Sequence, residues 1–146
     1  MPVRDATEAD LHEICSLIRE LAAYEQLEHE VVLDPDEVRT HLFGGDPAAH
    51  VLIAESDHGE VVGFALWYRT FSTFLGRPGI WLEDLFVRRQ HRGRGHGLAL
   101  LQELRKRTDD RVEWAVLDWN EPSIRFYESL GARPVHGWIR YRWLPS

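Results

Sequence analysis

The segment Gln90, His91, Arg92, Gly93, Arg94, Gly95, His96, Gly97 separates an apolar run that reads as a strand from one that reads as a helix. Three glycines at alternate positions let the backbone approach a ligand closely and adopt dihedral angles that other residues avoid. The first amides of the following helix have no acceptor within it, and with two arginines beside them they suit an anion such as phosphate. Taken alone, the segment is equally compatible with a glycine-rich hinge whose arginines serve solubility. Its flanks have to decide.

Outward from this segment the hydrophobic period changes. Ile80 to Val87, and upstream Val61 to Arg69 and His50 to Glu55, are rich in Val, Leu, Ile and aromatics and predict strands. Asp57, His58 and Gly59 turn tightly between the first two of these in chain order and predict an antiparallel hairpin, while Gly76 to Gly79 breaks the chain before Ile80. After the segment, Leu98, Leu101 and Leu104 give a helix an apolar stripe. Val112 to Asp118 predicts a strand, Pro122 to Leu130 a short helix closed by Gly131, and Ile139 to Trp143 a last strand. Towards the N-terminus, Val3 and Arg4 predict a short strand and Thr7 with Asp10 a capping box. Leu11, Ile14, Leu17, Ile18 and Leu21 predict a helix over Ala9 to Glu25. Asp34 caps a second helix with Pro35 in its first turn, ending near Gly44 and Gly45. The order is α/β, without internal repeats or low-complexity linkers.

With 146 residues, 44% of them hydrophobic, the chain is expected to form one domain over residues 1–146 around one core. No apolar run approaches the roughly 20 residues needed to cross a bilayer, and Met1 to Asp10 carries acids where a signal peptide carries bases. A cytoplasmic protein without a membrane partner is expected. The single cysteine, Cys15, excludes an internal disulfide framework and, among Ile14, Leu17 and Ile18, reads as a small buried hydrophobe. Up to Glu60, fifteen Asp and Glu face only Arg4, Arg19 and Arg39, whereas Arg88 to Arg107 is basic. A net charge of -7 argues against a general nucleic-acid partner, and the local basic patch suits one small polyanion. The eight histidines are scattered, so no metal site is expected.

The glycine spacing is G-x-G-x-G, not the G-x-G-x-x-G of dinucleotide folds, and a triphosphatase loop would need Gly-Lys followed by Ser or Thr. What remains is a pyrophosphate cradle made chiefly of backbone amides, with His91 and His96 expected at its rim.

Several blocks carry a resemblance. Gln90, Gly93 and Gly95 match the pattern of Gln or Arg, two residues, Gly, one residue, Gly or Ala. Trp81 to Val87 (WLEDLFV), Arg92 to Gly97 (RGRGHG), Val116 to Asn120 (VLDWN) and Ser123 to Ala132 (SIRFYESLGA) follow in order, supported by Glu20 to Glu25 (ELAAYE) and Gly63 to Ala65 (GFA). On these residues the chain resembles the GCN5-related N-acetyltransferase superfamily, and within it the diamine N-acetyltransferases, the spermidine/spermine and thialysine group. The resemblance implies the α/β fold of that superfamily, a mixed, mostly antiparallel sheet with splayed central strands flanked by helices, and acetyl-CoA as co-substrate in the cleft. It implies a bulge in Trp81 to Val87 that exposes backbone groups of Leu85 and Val87 to the pantetheine arm. Amides of Arg92, Gly93, Arg94, Gly95, His96 and Gly97 would hold the pyrophosphate, and Asn120 would approach the cofactor from the neighbouring strand end. The group is dimeric, so a homodimer is expected, and the last strand, where Arg140 and Arg142 alternate with Tyr141 and Trp143, is the segment expected to meet a second subunit.

Moving an acetyl group from a thioester to an amine requires a neutral amine, stabilisation of developing negative charge and a proton for the departing thiolate. Tyr127 matches the family's catalytic tyrosine. A phenol with pKa about 10 stays protonated at neutral pH and suffices for a thiolate whose acid has pKa about 8.5; the alternative is a ring packed beside Phe126. Glu83 matches the glutamate that faces the substrate and takes its proton through water. That help has value because an alkylammonium of pKa about 10.4 leaves roughly one molecule in a thousand neutral at pH 7. Glu83 and Asp84 are adjacent in a strand, so only a bulge lets both line one cleft. Asp84 reads equally as a substrate contact or as a cap on a backbone break. Tyr24 and Glu25 match residues near the amine pocket and Trp119 borders it, although Glu25 also reads as a solvated helix end. His136 departs from the group's pattern, which has an acidic residue before the Gly-Trp matched by Gly137 and Trp138. An imidazole binds a second ammonium less well than a carboxylate does, which lowers the expectation for spermidine.

The expected function is therefore transfer of an acetyl group from acetyl-CoA to a primary amine of a small diamine, polyamine or lysine-like amino acid. Direct attack is expected because no cysteine is placed to carry the acetyl group. The alternatives are acetylation of a peptide or protein lysine, or of an antibiotic amine, and a non-catalytic acyl-CoA sensor.

Overall fold

The structure, a computed structural model, describes residues 2–146. It contains two compact units, the first ending at Ala115 and the second comprising Val116–Ser146.

In the first unit, β1 (Val3–Asp5), β2 (His50–Glu55), β3 (Val61–Ser72), β4 (Arg77–Val87) and β5 (Val112–Glu113) form a single sheet in chain order. Strands β1 to β4 pair antiparallel, and β5 joins β4 in parallel. A parallel neighbour needs a crossover, which the helix α3 (His96–Arg105) supplies. The mixed, mostly antiparallel sheet expected from sequence is present. Helix α1 (Leu11–Tyr24) places Ile14, Leu17 and Leu21 three and four residues apart, and that stripe closes a core with Ile53, Phe64 and Phe86 of the sheet. Cys15 is buried, as its apolar neighbours predict.

The helix ends have local causes. Asp10 accepts the Thr7 amide at 2.8 Å and both Arg4 guanidinium nitrogens at 2.8 and 2.9 Å, closing the start of α1 onto β1. Hydrogen bonding from Arg4 is the main reason the Asp10 carboxyl titrates below its ordinary range. The helix stops where the Glu25 amide returns to the Leu21 carbonyl at 2.9 Å and Gln26 turns into the left-handed region at φ 61°. Asp34 caps α2 (Pro35–Phe43) by accepting the Asp36 amide at 2.9 Å.

Three strand boundaries differ from the sequence reading, the first being that of β3, which runs on past Arg69 to Ser72. Strand β4 begins at Arg77, so Gly79 lies inside the ladder opposite Thr70 and only Gly76 belongs to the turn. A Cβ on Gly79 would stand 2.9 Å from the Arg111 carbonyl oxygen, so glycine is required there for the approach of two backbones. The strand expected over Val112 to Asp118 is only Val112–Glu113, because its ladder with β4 ends at the pair Trp81 and Glu113. From Leu82 to Val87, β4 has β3 on one side and, among the described residues, no strand on the other. This is the splay.

In the second unit, Asn120 caps α4 (Glu121–Ser129) by accepting the Ser123 amide at 3.4 Å, and Gly131 follows the helix at φ 94°. The strand expected at Ile139 to Trp143 is absent: residues 132–146 have no regular secondary structure. A strand exists only beside a hydrogen-bonded neighbour, and no described strand pairs with this segment.

Candidate active site

Strand β4 carries the acidic part of the site. Opposite it, Leu66 pairs with Asp84 but the next residue, Trp67, pairs with Leu82, so Glu83 is the extra residue of a β-bulge. The Trp81 indole N–H holds the Glu83 carboxylate at 2.9 Å. Burial, then the charges of Glu83 and Glu25, pushes the Asp84 carboxyl up to about 7. Burial and Glu83 raise the carboxyl of Glu25, which stands at the end of α1. Glu25, Glu83 and Asp84 thus act on one another as one acidic cluster. The condition that adjacent acids share a cleft only through a bulge is met at Glu83 itself. With its carboxyl near 7, Asp84 is only partly charged at neutral pH, and an incoming cation relieves the repulsion it feels from Glu83 and Glu25.

Strand β4 then leads into the glycine segment. After a single turn at Arg89–His91, Gly93 and Gly95 take φ of 76° and 89°, values that side-chain-bearing residues rarely adopt. A Cβ on Gly93 would meet no atom within 4 Å, so the space above it is open. The Ala99 amide is the first to bond back into α3, to the Gly95 carbonyl at 3.0 Å, which leaves the amides of His96, Gly97 and Leu98 without an acceptor inside the helix. Arg94 is exposed beside them. His91 lies 3.3 Å from Glu60. His96 is not at the rim: it is 5% exposed, and burial, followed by His91 and Arg94, lowers its pKa.

Two arginines flank the cradle in ways that residue type alone does not reveal. Arg88, with a side chain only 17% exposed, donates to Glu13 at 2.7 Å, to Glu20 at 3.1 Å and to the Val61 carbonyl at 2.9 Å, tying the base of the segment to α1 and β3. The sequence reading passed over it, since nothing in its neighbourhood separates it from a solvated arginine. Arg92 donates its Nε to the Val87 carbonyl at 2.8 Å and lays its guanidinium over the rings of Tyr24 at 4.9 Å and Phe86 at 5.2 Å. Its side chain is committed to those groups, and its amide donates to the Arg89 carbonyl at 3.3 Å.

The remaining candidates lie in the second unit. Asn120 is 4% exposed and caps α4, Trp119 beside it is partly exposed, and Tyr127 sits on α4 with its ring 5.6 Å from that of Phe126. Leu85 and Val87 are half-buried on the stretch of β4 that pairs with β3 but, among the described residues, with no strand on its other side. Tyr24, Glu25, Glu83, Asp84, Leu85, Val87 and Arg92 to Gly97 therefore belong to one unit, and Trp119, Asn120 and Tyr127 to the other.

The open strand flank offers backbone groups to an extended chain, and the open space at Gly93 with the amides of His96 to Leu98 suits a diphosphate, so the residues fit acetyl-CoA. Among the described residues no group of His, Cys, Asp and Glu is arranged to hold a metal, and no helix is long and apolar enough to cross a membrane.

Comparison with known proteins agrees with this geometry. The acetyltransferase (GNAT) family profile matches residues 11–132. A thialysine N-epsilon-acetyltransferase of Mus musculus is 35% identical over 96% of this chain and 90% of its own length. A spermidine/spermine N(1)-acetyltransferase-like protein of Homo sapiens is 31% identical over 96% of this chain and 22% of its own. Among solved structures, an integron cassette protein of V. cholerae superposes with a TM-score of 0.80 at 22% identity, over 99% of this chain and 92% of that one.

Proposed function

The chain is an acetyl-CoA-dependent acetyltransferase and belongs to the GNAT family; on that premise we propose that its acceptor is the terminal primary amine of a small diamine, a polyamine or a lysine-like amino acid such as thialysine. The observation that carries the reading is the bulge at Glu83, which gathers Glu25, Glu83 and Asp84 into one acidic cluster on the strand that runs into the glycine cradle. Acetyl-CoA supplies the activated acetyl thioester. Backbone groups of Leu85 and Val87 and the amides of Gly93 to Gly97 would hold it, with Asn120 as a further contact, while the Arg92 amide is already given to the Arg89 carbonyl. Glu83 accepts the ammonium proton through water. Asp84, Glu25 and Tyr24 receive the amine, and Trp119 is proposed as a further substrate contact. Tyr127 donates the proton that the leaving thiolate needs. The amine attacks directly, since buried Cys15 lies in α1 and its thiol is pushed up in pKa by burial.

The same reading makes the chain a single catalytic domain, cytoplasmic and homodimeric. Support for a second copy comes from the tail, where Trp138, Ile139, Tyr141 and Trp143 present apolar surface to solvent, Trp143 at 99% exposure. His136 in place of an acid disfavours spermidine and leaves small diamines, lysine-like amino acids such as thialysine, or another primary amine.

Thiol release from acetyl-CoA, measured over thialysine, lysine, putrescine, spermidine, spermine and a histone-like peptide, tests the proposal. Turnover is expected with thialysine or a short diamine at an amine concentration well below that required with the peptide. Preferential use of the peptide, or no acceleration by any amine, overturns it.

A further inference from the structure

Arg92 stands immediately before Gly93, yet its side chain lies against groups outside the glycine segment. Nε donates to the Val87 carbonyl at 2.8 Å, and the guanidinium covers Tyr24 at 4.9 Å and Phe86 at 5.2 Å, while the two rings are themselves 6.4 Å apart. Phe86 is buried in the sheet and cannot yield, whereas Tyr24 is the last residue of α1 and precedes Glu25, a member of the acidic cluster. A cation at a helix C-terminus is also favoured by the helix dipole, so the guanidinium holds the end of α1 twice, through the ring and through the field.

Building on the function proposed above, we infer that Arg92 is a positioning residue that couples occupancy of the glycine cradle to the amine end of the site. A diphosphate held by the amides that follow Arg92 fixes its backbone. The fixed guanidinium then presses Tyr24 in place, and Tyr24 sets Glu25. Donor binding thereby prepares the acceptor pocket without the Arg92 side chain touching either substrate.

The test is a double-variant cycle. Arg92→Gln, Tyr24→Leu and the combined variant are compared by amine KM at saturating acetyl-CoA, and acetyl-CoA Kd is measured by calorimetry. Each single variant is expected to raise amine KM about fivefold, with Kd within about twofold of wild type, and the combined variant is expected to be no worse than either single one. Arg92→Lys should recover most of the loss because an ammonium still sits over the rings. In a Tyr24→Phe background, which keeps the ring, Arg92→Gln should retain its full effect. Effects that multiply in the combined variant, or a weakened acetyl-CoA Kd with amine KM unmoved, overturn the coupling. An active wild type with such independent effects sinks this inference alone, whereas a wild type that acetylates no amine sinks the proposed function with it.

Discussion

Tyr127 is the residue proposed to deliver the proton, and Tyr127→Phe tests it with little disturbance, since the ring beside Phe126 is kept and only the hydroxyl is lost. Turnover is expected to fall by about 10²- to 10⁴-fold while acetyl-CoA Kd stays within about twofold; steady-state kinetics with calorimetry would show it, and an unchanged rate across pH would remove Tyr127 from the acid role. Asp84 makes a prediction of opposite character. Its carboxyl binds a proton more tightly in the folded chain, where its pKa is about 7, than in the unfolded one. Raising the pH from about 4 to about 7 therefore costs stability, and the cost is constant above that window. Asp84→Asn should melt above wild type at pH 8, by at most about 4 kcal/mol, and the two melting curves should converge near pH 4. That penalty is the counterpart of the proposed role, because a bound ammonium offsets it, and the same variant should raise amine KM. Glu83 and Asp84 were legible as candidates from residue type and their place in a matched block. Their sharing of one cluster was not, because a bulge depends on the register against Leu66 and Trp67, which spacing within one strand does not fix.

Elements were legible where their ends carry their own chemistry. Asp34 with Pro35 marks the start of α2, Thr7 with Asp10 the start of the α1 region, and the Asp57, His58, Gly59 turn the β2–β3 hairpin, each within a residue or two of its place. Where a boundary depends on a distant strand, the sequence misleads. Gly79 reads as turn material but lies in β4 to admit the Arg111 backbone, and β5 stops after Glu113 because β4 leaves it, an event that no residue in Trp114 to Asp118 announces. At the junction of β4 and α3 the element-level prediction concerns Gly95, which caps the helix at φ 89°. Gly95→Ala imposes about 1–2 kcal/mol of backbone strain there and displaces the free amides of His96 to Leu98. Acetyl-CoA Kd should weaken about tenfold if the strain is taken from binding, with helix content by circular dichroism unchanged; tight binding retained by the variant would show that the amides do not hold the diphosphate.

At the scale of the whole molecule, the tail is where chain and fold part company. Trp138 to Trp143 has the alternation of a strand, and its failure to form one reflects a missing neighbour, not a wrong period. Supplying that neighbour from a second copy predicts a dimer by light scattering at micromolar concentration. Replacing Ile139 and Trp143 together by aspartate should give a monomer with an unchanged far-ultraviolet spectrum, and a wild-type monomer would refute the homodimer. Dimerisation would cover the tail, but the flank of β4 from Leu82 to Val87 raises a different hazard. A strand flank that no second strand covers invites a foreign strand to dock and seed aggregates. Here the bulge at Glu83 kinks the flank and the carboxylates of Glu83 and Asp84 charge its middle, so an invading strand finds neither a straight edge nor a neutral one. The residues proposed to recognise the amine thus also act as gatekeepers, keeping a sheet that must stay open from becoming a template for misassembly.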